Sequence, residues 1–244
     1  MRAVKRRTVV AIVLAALVVY AAVMVGLFEG MTPPRITRTF STNWAGYEAR
    51  LRHPTMISAS WTVPTIATSQ RRTDVAMWIG IGGLSDQGHL LQVGTSEATR
   101  RGVVGRDALV ELWPAPPTPL TRLVPTDWVV PGDHVSASIR SVGRTRWTVK
   151  LSDATQGWTF EETVRFALRG ATSAEWITER PPSIGRLPLF TPAHFTRLRV
   201  AGSARRPVVP RHLATVRMWP THGSTVAVGP VHRDAFTDSY VRSA

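Results

Sequence analysis

The segment HLLQVGTSE, residues 89–97, decides the fold class because it alternates like a strand around an uncharged amide. In an extended strand, residues 91, 93 and 95 face one side, and residues 90, 92 and 94 face the other. A buried amide that lacks partners costs about 1–3 kcal/mol. Gln92 is therefore either hydrogen-bonded within a core or placed in a cleft where its amide has a task.

The chain beyond residue 42 repeats this pattern of short strands separated by turn signals. The sequence holds 9 Trp, 18 Gly and 18 Pro among 244 residues, which favours strands and turns over long helices. About ten or more strands without a convincing helix predict an all-β fold, either an antiparallel sandwich or a barrel. The predicted strands are ISASWTVPT (57–65), VAMWIGIGG (75–83), HLLQVGT (89–95), DALVELWP (107–114), HVSASIRSV (134–142), TRWTVKLSD (145–153), WTFEETVRFAL (158–168), SAEWITE (173–179), HFTRLRVAG (194–202), ATVRMWPT (214–221) and STVAVGP (224–230).

The N-terminal part of the chain has the pattern of a membrane segment. Residues 1–7 (MRAVKRR) form a basic flank, and residues 8–28 carry no charge over 21 residues. As a helix, this run spans about 31 Å, the thickness of a bilayer core. We expect a cytoplasmic flank, an uncleaved transmembrane signal-anchor over 8–28, a linker over 29–38 and an extracytoplasmic domain over 39–244. Cleavage of the segment as a signal peptide, which would release a secreted domain, is the alternative.

Charge and cysteine content exclude several classes of function. The formal net charge is +14, from 30 basic and 16 acidic residues, but the arginines are scattered and accompany no nucleic-acid-binding motif. Nucleic acid is therefore not an expected partner. The simpler interpretations are adhesion of the domain to anionic surfaces, such as lipid headgroups or wall polymers, or a generally arginine-rich proteome. The chain has no cysteine, which rules out disulfides, thiolate catalysis and Cys-based metal sites. Neither an H-E-x-x-H zinc motif nor a G-x-S-x-G elbow occurs.

Two predicted strands carry acids on a face that also bears apolar side chains. In SAEWITE, residues 175, 177 and 179 share one face, so two glutamates flank an isoleucine. In DALVELWP, residues 107, 109, 111 and 113 share one face, which combines two acids with leucine and tryptophan. Such a mixture predicts a partly desolvated cleft in which carboxyl pKa values rise. An ordinary half-solvated outer face is the alternative.

An ordered set of motifs carries a resemblance to a known family. STNWAGY, SASWTVPT, AMWIGIGG, LLQVGT, DALVELWP and SAEWITE occur in this order and at these spacings. The chain resembles the glutamic endopeptidases of the eqolisin family, in their bacterial form, from about residue 39 to about residue 241. The resemblance implies a sandwich of two large antiparallel sheets with a substrate cleft on one of them.

The resemblance also implies a catalytic pair and a set of cleft residues. The family's glutamine falls on Gln92 and its catalytic glutamate on Glu175, and no metal or cofactor is implied. The glutamate would accept a proton from water and return it to the leaving amine, while the glutamine would stabilise the oxyanion. The implied substrate is a protein or peptide, hydrolysed in acid; the resemblance predicts no oligomeric state. The residues that the resemblance assigns to the substrate cleft are Asn43, Trp44, Trp78, Asp107, Glu111 and Trp113.

Three positions depart from the better-known fungal members of this family. Gly82 and Ser96 stand where those members have aspartates, and Leu109 stands where they have a cleft tryptophan. Glu97 could replace a missing acid near Gln92 only if a bulge or strand end reverses its side. These losses leave a second interpretation open, a weakly active or inactive sandwich that binds peptide or carbohydrate.

Overall fold

The computed structural model describes residues 38–84, 88–120, 128–182, 185–203 and 206–243. The predicted flank over 1–7 and the predicted membrane segment over 8–28 lie outside these residues, as does the linker up to residue 37. Within the described part of the chain, no helix is long and apolar enough to cross a membrane. The first strand begins at Arg38, the last residue of the predicted linker.

Fifteen strands build the domain, and the described ranges contain no α-helix, in agreement with the predicted all-β class. The strands are β1 (Arg38–Ser41), β2 (Trp44–Arg50), β3 (Pro54–Thr62), β4 (Thr73–Ile81), β5 (Leu90–Arg100), β6 (Val103–Trp113), β7 (Thr118–Pro119), β8 (His134–Gly143), β9 (Arg146–Asp153), β10 (Trp158–Arg165), β11 (Ser173–Glu179), β12 (Ala193–Gly202), β13 (Leu213–Met218), β14 (Ser224–Val228) and β15 (Phe236–Arg242).

The strands form two sheets, which confirms the sandwich and excludes the barrel. The eight-stranded sheet has the order β1-β13-β2-β11-β4-β5-β6-β7, and the seven-stranded sheet has the order β10-β9-β8-β3-β12-β15-β14. Every strand pair is antiparallel except β1 and β13, which run parallel. The prediction of antiparallel sheets is therefore wrong at this edge, because β1 leads into a tight turn at residues 42–43 and both β1 and β2 pair with β13.

The core lies between the sheets and is filled by alternate residues of each strand. On β5, Leu91 and Val93 are fully buried in this core, while Gln92 faces the other side of the sheet. Trp176 on β11 is also buried in the core, and its Nε1 donates to the carbonyl oxygen of Ser58 in the opposite sheet at 3.1 Å. The predicted alternation of faces is confirmed.

A buried acid links the two sheets within the core. The Thr178 hydroxyl of β11 donates to Asp238 Oδ2 of β15 at 2.7 Å, and both residues are fully buried. Thr178 lies on the strand that carries Glu175, and its neighbours on either side face away from the core. This hydrogen bond therefore helps to fix the position of β11 relative to β15 of the second sheet.

Gly94 allows β5 to approach the backbone of β4. A Cβ atom at Gly94 would lie 2.1 Å from the Met77 carbonyl oxygen and 2.5 Å from the Trp78 Cβ. Backbone and Cβ atoms cannot rotate away, so we expect Gly94→Ala to lower the free energy of unfolding by about 1–3 kcal/mol. Urea unfolding measures this loss. Gly105→Ala on β6 is the matched control, because its added Cβ would meet nothing within 4 Å, and equal losses in both variants would contradict the steric argument.

Candidate active site

Five residues on adjacent strands form a row across the eight-stranded sheet. Glu48 of β2 lies opposite Glu175 of β11, which lies opposite Gly80 of β4. Gly80 lies opposite Gln92 of β5, and Gln92 lies opposite Glu111 of β6. All five belong to the face turned away from the core, which we call the site face. The two residues predicted to be catalytic are therefore in one row, separated by one strand.

The residue between the predicted catalytic pair has no side chain. Neighbouring strands are about 4.8 Å apart, so the backbones at Glu175 and Gln92 are about 10 Å apart. A Cβ atom at Gly80 would lie 2.7 Å from Leu90 Cδ1 and 2.9 Å from Trp78 Cζ3. Gly80 contributes no side chain of its own, and the side chains of Leu90 and Trp78 fill the space beside its Cα atom.

Gln92 is oriented by a hydrogen bond to the next strand. Its side chain is buried, with 4 % of its surface exposed, and its Nε2 donates to Glu111 Oε2. Its Oε1 has no hydrogen-bond partner among the described residues. Because a carboxylate only accepts hydrogen bonds, Glu111 holds the N–H side of the amide toward itself. Burial raises the pKa of Glu111, and the Gln92 hydrogen bond opposes that rise.

Glu175 is enclosed completely. It has 0 % of its surface exposed, and its Oε1 accepts a hydrogen bond from the Leu84 backbone N–H at 3.3 Å. Its Oε2 has no hydrogen-bond partner within the described ranges. Burial raises its pKa to about 8; the Ser173 hydroxyl and the Leu84 N–H oppose the rise, and the charge of Glu48 adds to it. Enclosure of Glu175 therefore favours the protonated form of this carboxyl.

A partly buried glutamate, Glu179, contacts two of the predicted cleft residues at the end of β11. Glu179 Oε1 accepts a hydrogen bond from Asn43 Nδ2 at 2.9 Å, and its Oε2 accepts one from Trp78 Nε1 at 2.7 Å. Trp44 packs edge-on against Trp78, with ring centroids 5.0 Å apart. Burial raises the pKa of Glu179 to about 7. The sequence analysis placed Glu179 on the same face as Glu175 but did not assign it to the site. The even spacing of the two glutamates along one strand could have predicted that Glu179 also belongs to the site.

The predicted cleft residues of β6 lie on the site face at different rows. Glu111 reaches Gln92, whereas Asp107 lies opposite Ser96, two rows farther along the sheet. Trp113 lies opposite Leu90 at the end of the strand and is half exposed. The structure thus brings Glu111 into contact with Gln92 but leaves Asp107 near the middle of β6 and Trp113 at its end.

Glu97 does not replace the missing acid. Its register with Arg106 continues without a bulge from the pairing of Gln92 with Glu111, so its odd position puts it on the opposite face from Gln92. There it is buried, with Arg106 Nε at 3.8 Å from its Oε2. Gly82, which stands where the fungal members have an aspartate, has a positive φ of 102°. Glycine adopts this conformation readily, whereas aspartate rarely does.

Five buried or partly buried carboxyls with raised pKa values are expected to make the stability of the fold depend on pH. Burial is the largest cause in each case, and it raises the pKa to about 7 for Asp74, Glu179 and Asp238 and to about 8 for Glu97 and Glu175. In the unfolded chain these groups titrate near pH 4. The folded chain binds more protons between about pH 4 and pH 8, so its stability falls as pH rises through this window. We expect a melting temperature about 5–10 °C higher at pH 5 than at pH 8, measured by calorimetry.

Asp238→Asn provides a control for this pH dependence. The asparagine oxygen still accepts the Thr178 hydroxyl, but the group no longer titrates, so the slope of stability against pH should decrease. Repulsion within the +14 chain increases in acid and works against the trend, but it is screened beyond about 10 Å in 0.1 M salt. A wild-type melting temperature that rises from pH 5 to pH 8 would contradict the assignment of these buried acids.

The two-sheet sandwich and its site face, with buried glutamates beside an oriented amide, are the features of a glutamic peptidase. A model of the Peptidase A4 family matches residues 42–240, and the chain belongs to this family of peptide hydrolases. No curated protein matches the chain.

Solved structures of glutamic peptidases share the fold. Scytalido-glutamic peptidase with a transition-state analogue inhibitor superposes with a TM-score of 0.69 at 20% identity, covering 82% of this chain and 99% of that one. SCP-B, a member of the eqolisin family in complex with the tripeptide Ala-Ile-His, gives 0.63 at 19% identity, with coverage of 82% and 99%. Aspergilloglutamic peptidase from Aspergillus niger gives 0.57 at 24% identity, with coverage of 69% and 99%. The eqolisin resemblance is confirmed.

Proposed function

We propose that this protein is an acid-acting glutamic endopeptidase in which Glu175 and Gln92 act together on one peptide bond. The observation that carries the proposal is their placement across Gly80 on the site face. Each of the two side chains has one buried oxygen without a hydrogen-bond partner among the described residues. A buried carboxyl and a buried amide with unused hydrogen-bonding capacity, in one row and on one face of the sheet, are suited to hold a water and a peptide carbonyl.

The proposed reaction uses the two side chains in different roles. The ionised form of Glu175 accepts a proton from water as the water attacks the peptide carbonyl, and the resulting acid gives that proton to the leaving amine. Glu111 holds one N–H of Gln92, and the second N–H donates to the developing oxyanion. The free Oε1 of Gln92 accepts a hydrogen bond from the attacking water.

Action in acid requires the carboxyl of Glu175 to ionise more easily than it does in the enclosed surroundings described above. Its pKa is raised mainly by burial, and the Leu84 N–H covers one of its oxygens. We propose that a bound peptide brings water to the carboxyl while the Leu84 N–H stays in place, and that this hydration lowers the pKa toward that of an ordinary glutamate near 4.3. The higher stability that we expect for the folded chain at pH 5 than at pH 8 supports activity in the same acid range.

We further propose that the domain is held at the outer side of a membrane by the apolar segment over 8–28. The support is the absence of charge over 21 residues together with the basic flank before them. The substrates are then extracytoplasmic proteins or peptides. Treatment of intact cells with an added protease should degrade the domain but leave the flank; protection of the domain would contradict this orientation.

The test of the proposed activity is digestion of a denatured protein by the purified full-length chain from pH 2 to pH 8. Mass spectrometry of the products identifies internal cleavage, and the Glu175→Gln chain is the matched control. Cleavage in acid that is lost in the variant is the expected result.

A specific observation favours one competing function. Glu175 is fully enclosed beneath Leu84, as suits a site face that only binds peptide or carbohydrate. A wild-type chain that is folded by calorimetry and cleaves nothing at any pH would support this binding module and overturn the endopeptidase proposal.

A further inference from the structure

We infer that Glu48 is a positioning residue for the proposed reaction: its carboxylate, paired with Arg50, controls the protonation of Glu175 across the β2–β11 strand pair. The inference rests on the proposed function of Glu175. It adds to the site a residue that neither the sequence pattern nor the eqolisin resemblance assigned.

The register places the two glutamates directly opposite each other. Glu48 pairs with Glu175, and opposed residues of antiparallel strands have Cβ atoms about 4.5–5.5 Å apart on the same face. Both side chains are buried, Glu48 with 1 % and Glu175 with 0 % of its surface exposed. The other strand neighbours in this row are Ala214 beside Glu48 and Gly80 beside Glu175, and neither carries charge. Glu48 is therefore the charged group that the sheet places next to Glu175.

Arg50 approaches this pair from the solvent side. Its Nε lies 2.5 Å from Glu48 Oε1, and its side chain is 64 % exposed. Glu175 itself forms no ion pair with any residue that the structure describes. The sequence thus puts a buried anion beside Glu175 and a solvated cation beyond it. The cation offsets part of the anion's effect, because solvent screens an exposed charge more strongly than a buried one.

Other charged groups of the site face are farther from Glu175. Glu179 lies two rows along β11, where Asn43 and Trp78 hold it, and Glu111 lies three strands away beyond Gln92. The described part of the β4–β5 turn offers Glu175 only the backbone N–H groups of Gly83 and Leu84.

Glu48 and Arg50 should therefore act on Glu175 in opposite directions. The Glu48 charge makes ionisation of Glu175 harder, so Glu48→Gln should lower the pKa of Glu175. Removing the Arg50 charge in Arg50→Gln leaves the Glu48 charge without its counterion and should raise that pKa. Since the ionised form is the proposed base, the acid limb of the rate profile follows the pKa in each case.

The experiment measures kcat against pH for the full-length chain and its variants. We expect the acid limb to shift down by about one pH unit in Glu48→Gln and up in Arg50→Gln. Glu161→Gln and Lys150→Gln are the matched controls. They break an exposed ion pair of 3.3 Å in the other sheet, and neither should move the limb. Shifts of both site variants in the same direction, or no shift in either, would overturn the inference.

A second measurement separates this inference from the proposed function. Carboxyl carbon NMR of the chain labelled at glutamate gives the titration of Glu175 directly, with the signal assigned by its loss in Glu175→Gln. The same opposite shifts are expected there, and their absence overturns the inference even if no peptide is cleaved. If Glu175→Gln cleaves normally while the shifts are present, the proposed function fails and the electrostatic pairing stands.

Discussion

Replacing Glu175 by glutamine is expected to lower kcat on a peptide substrate by about 10²–10⁴-fold, the range that a positioned acid–base group contributes. The amide keeps the size and shape of the carboxyl and can still accept the Leu84 N–H through its oxygen. It cannot accept a proton from water, so only the chemical step is removed. Because burial of the charged form is unfavourable, the neutral amide should leave the fold at least as stable at pH 8.

The measurement is kcat and KM for one fluorogenic peptide at the pH of maximal rate, with calorimetry of both chains. Glu162→Gln on β10 is a control for a glutamate that lies exposed in the other sheet, and it should retain full activity. Undiminished turnover by a folded Glu175→Gln chain would remove Glu175 from the mechanism.

Replacing Gln92 by methionine has the second largest expected effect, a loss of about 10²–10³-fold in kcat. Methionine matches the length of glutamine but neither donates to an oxyanion nor accepts from a water. The effect should fall on kcat more than on KM, because the oxyanion exists only in the transition state. The variant also leaves the buried Glu111 carboxyl without its N–H donor, which raises the pKa of Glu111 further.

Glu111→Gln tests whether the orientation of the amide contributes separately. This variant still offers Gln92 an oxygen acceptor, so its loss of activity should be smaller than that of Gln92→Met. The two variants are compared by steady-state kinetics at one pH. Equal losses would mean that Glu111 does more than hold the amide, and an unaffected Gln92→Met chain would remove the oxyanion role.

The sequence predicted those parts of the fold that depend on local pattern. SAEWITE was expected as a strand, and β11 spans the same residues, Ser173–Glu179. The alternation around Gln92 correctly separated the core face from the site face because side chains of a strand alternate strictly. The strands that the pattern missed are short or carry mixed polar residues; they are β1, β2, β7 and β15.

The arrangement of the site depends on pairings that no local pattern contains. Glu48 meets Glu175 only because β11 inserts between β2 and β4, strands that are far earlier in the chain. The contact of Gln92 with Glu111 joins two consecutive strands of a hairpin, so it could have been predicted from the sequence. The position of Glu48 beside Glu175 could not be predicted in this way. Glu97 was a candidate to replace the missing acid near Gln92 only if a bulge reversed its side. The β5–β6 pairing has no bulge, so Glu97 lies on the face opposite to Gln92.

The insertion of β11 between β2 and β4 also has a consequence for how the molecule acquires activity. Contacts between residues far apart in sequence close long loops before they gain any binding energy, and such topologies fold slowly. Until β11 has been synthesised and inserted, the eight-stranded sheet is split into two parts, and neither holds both Gln92 and Glu175, the proposed catalytic pair. On the proposed function, the nascent chain acquires activity only when this late strand is in place.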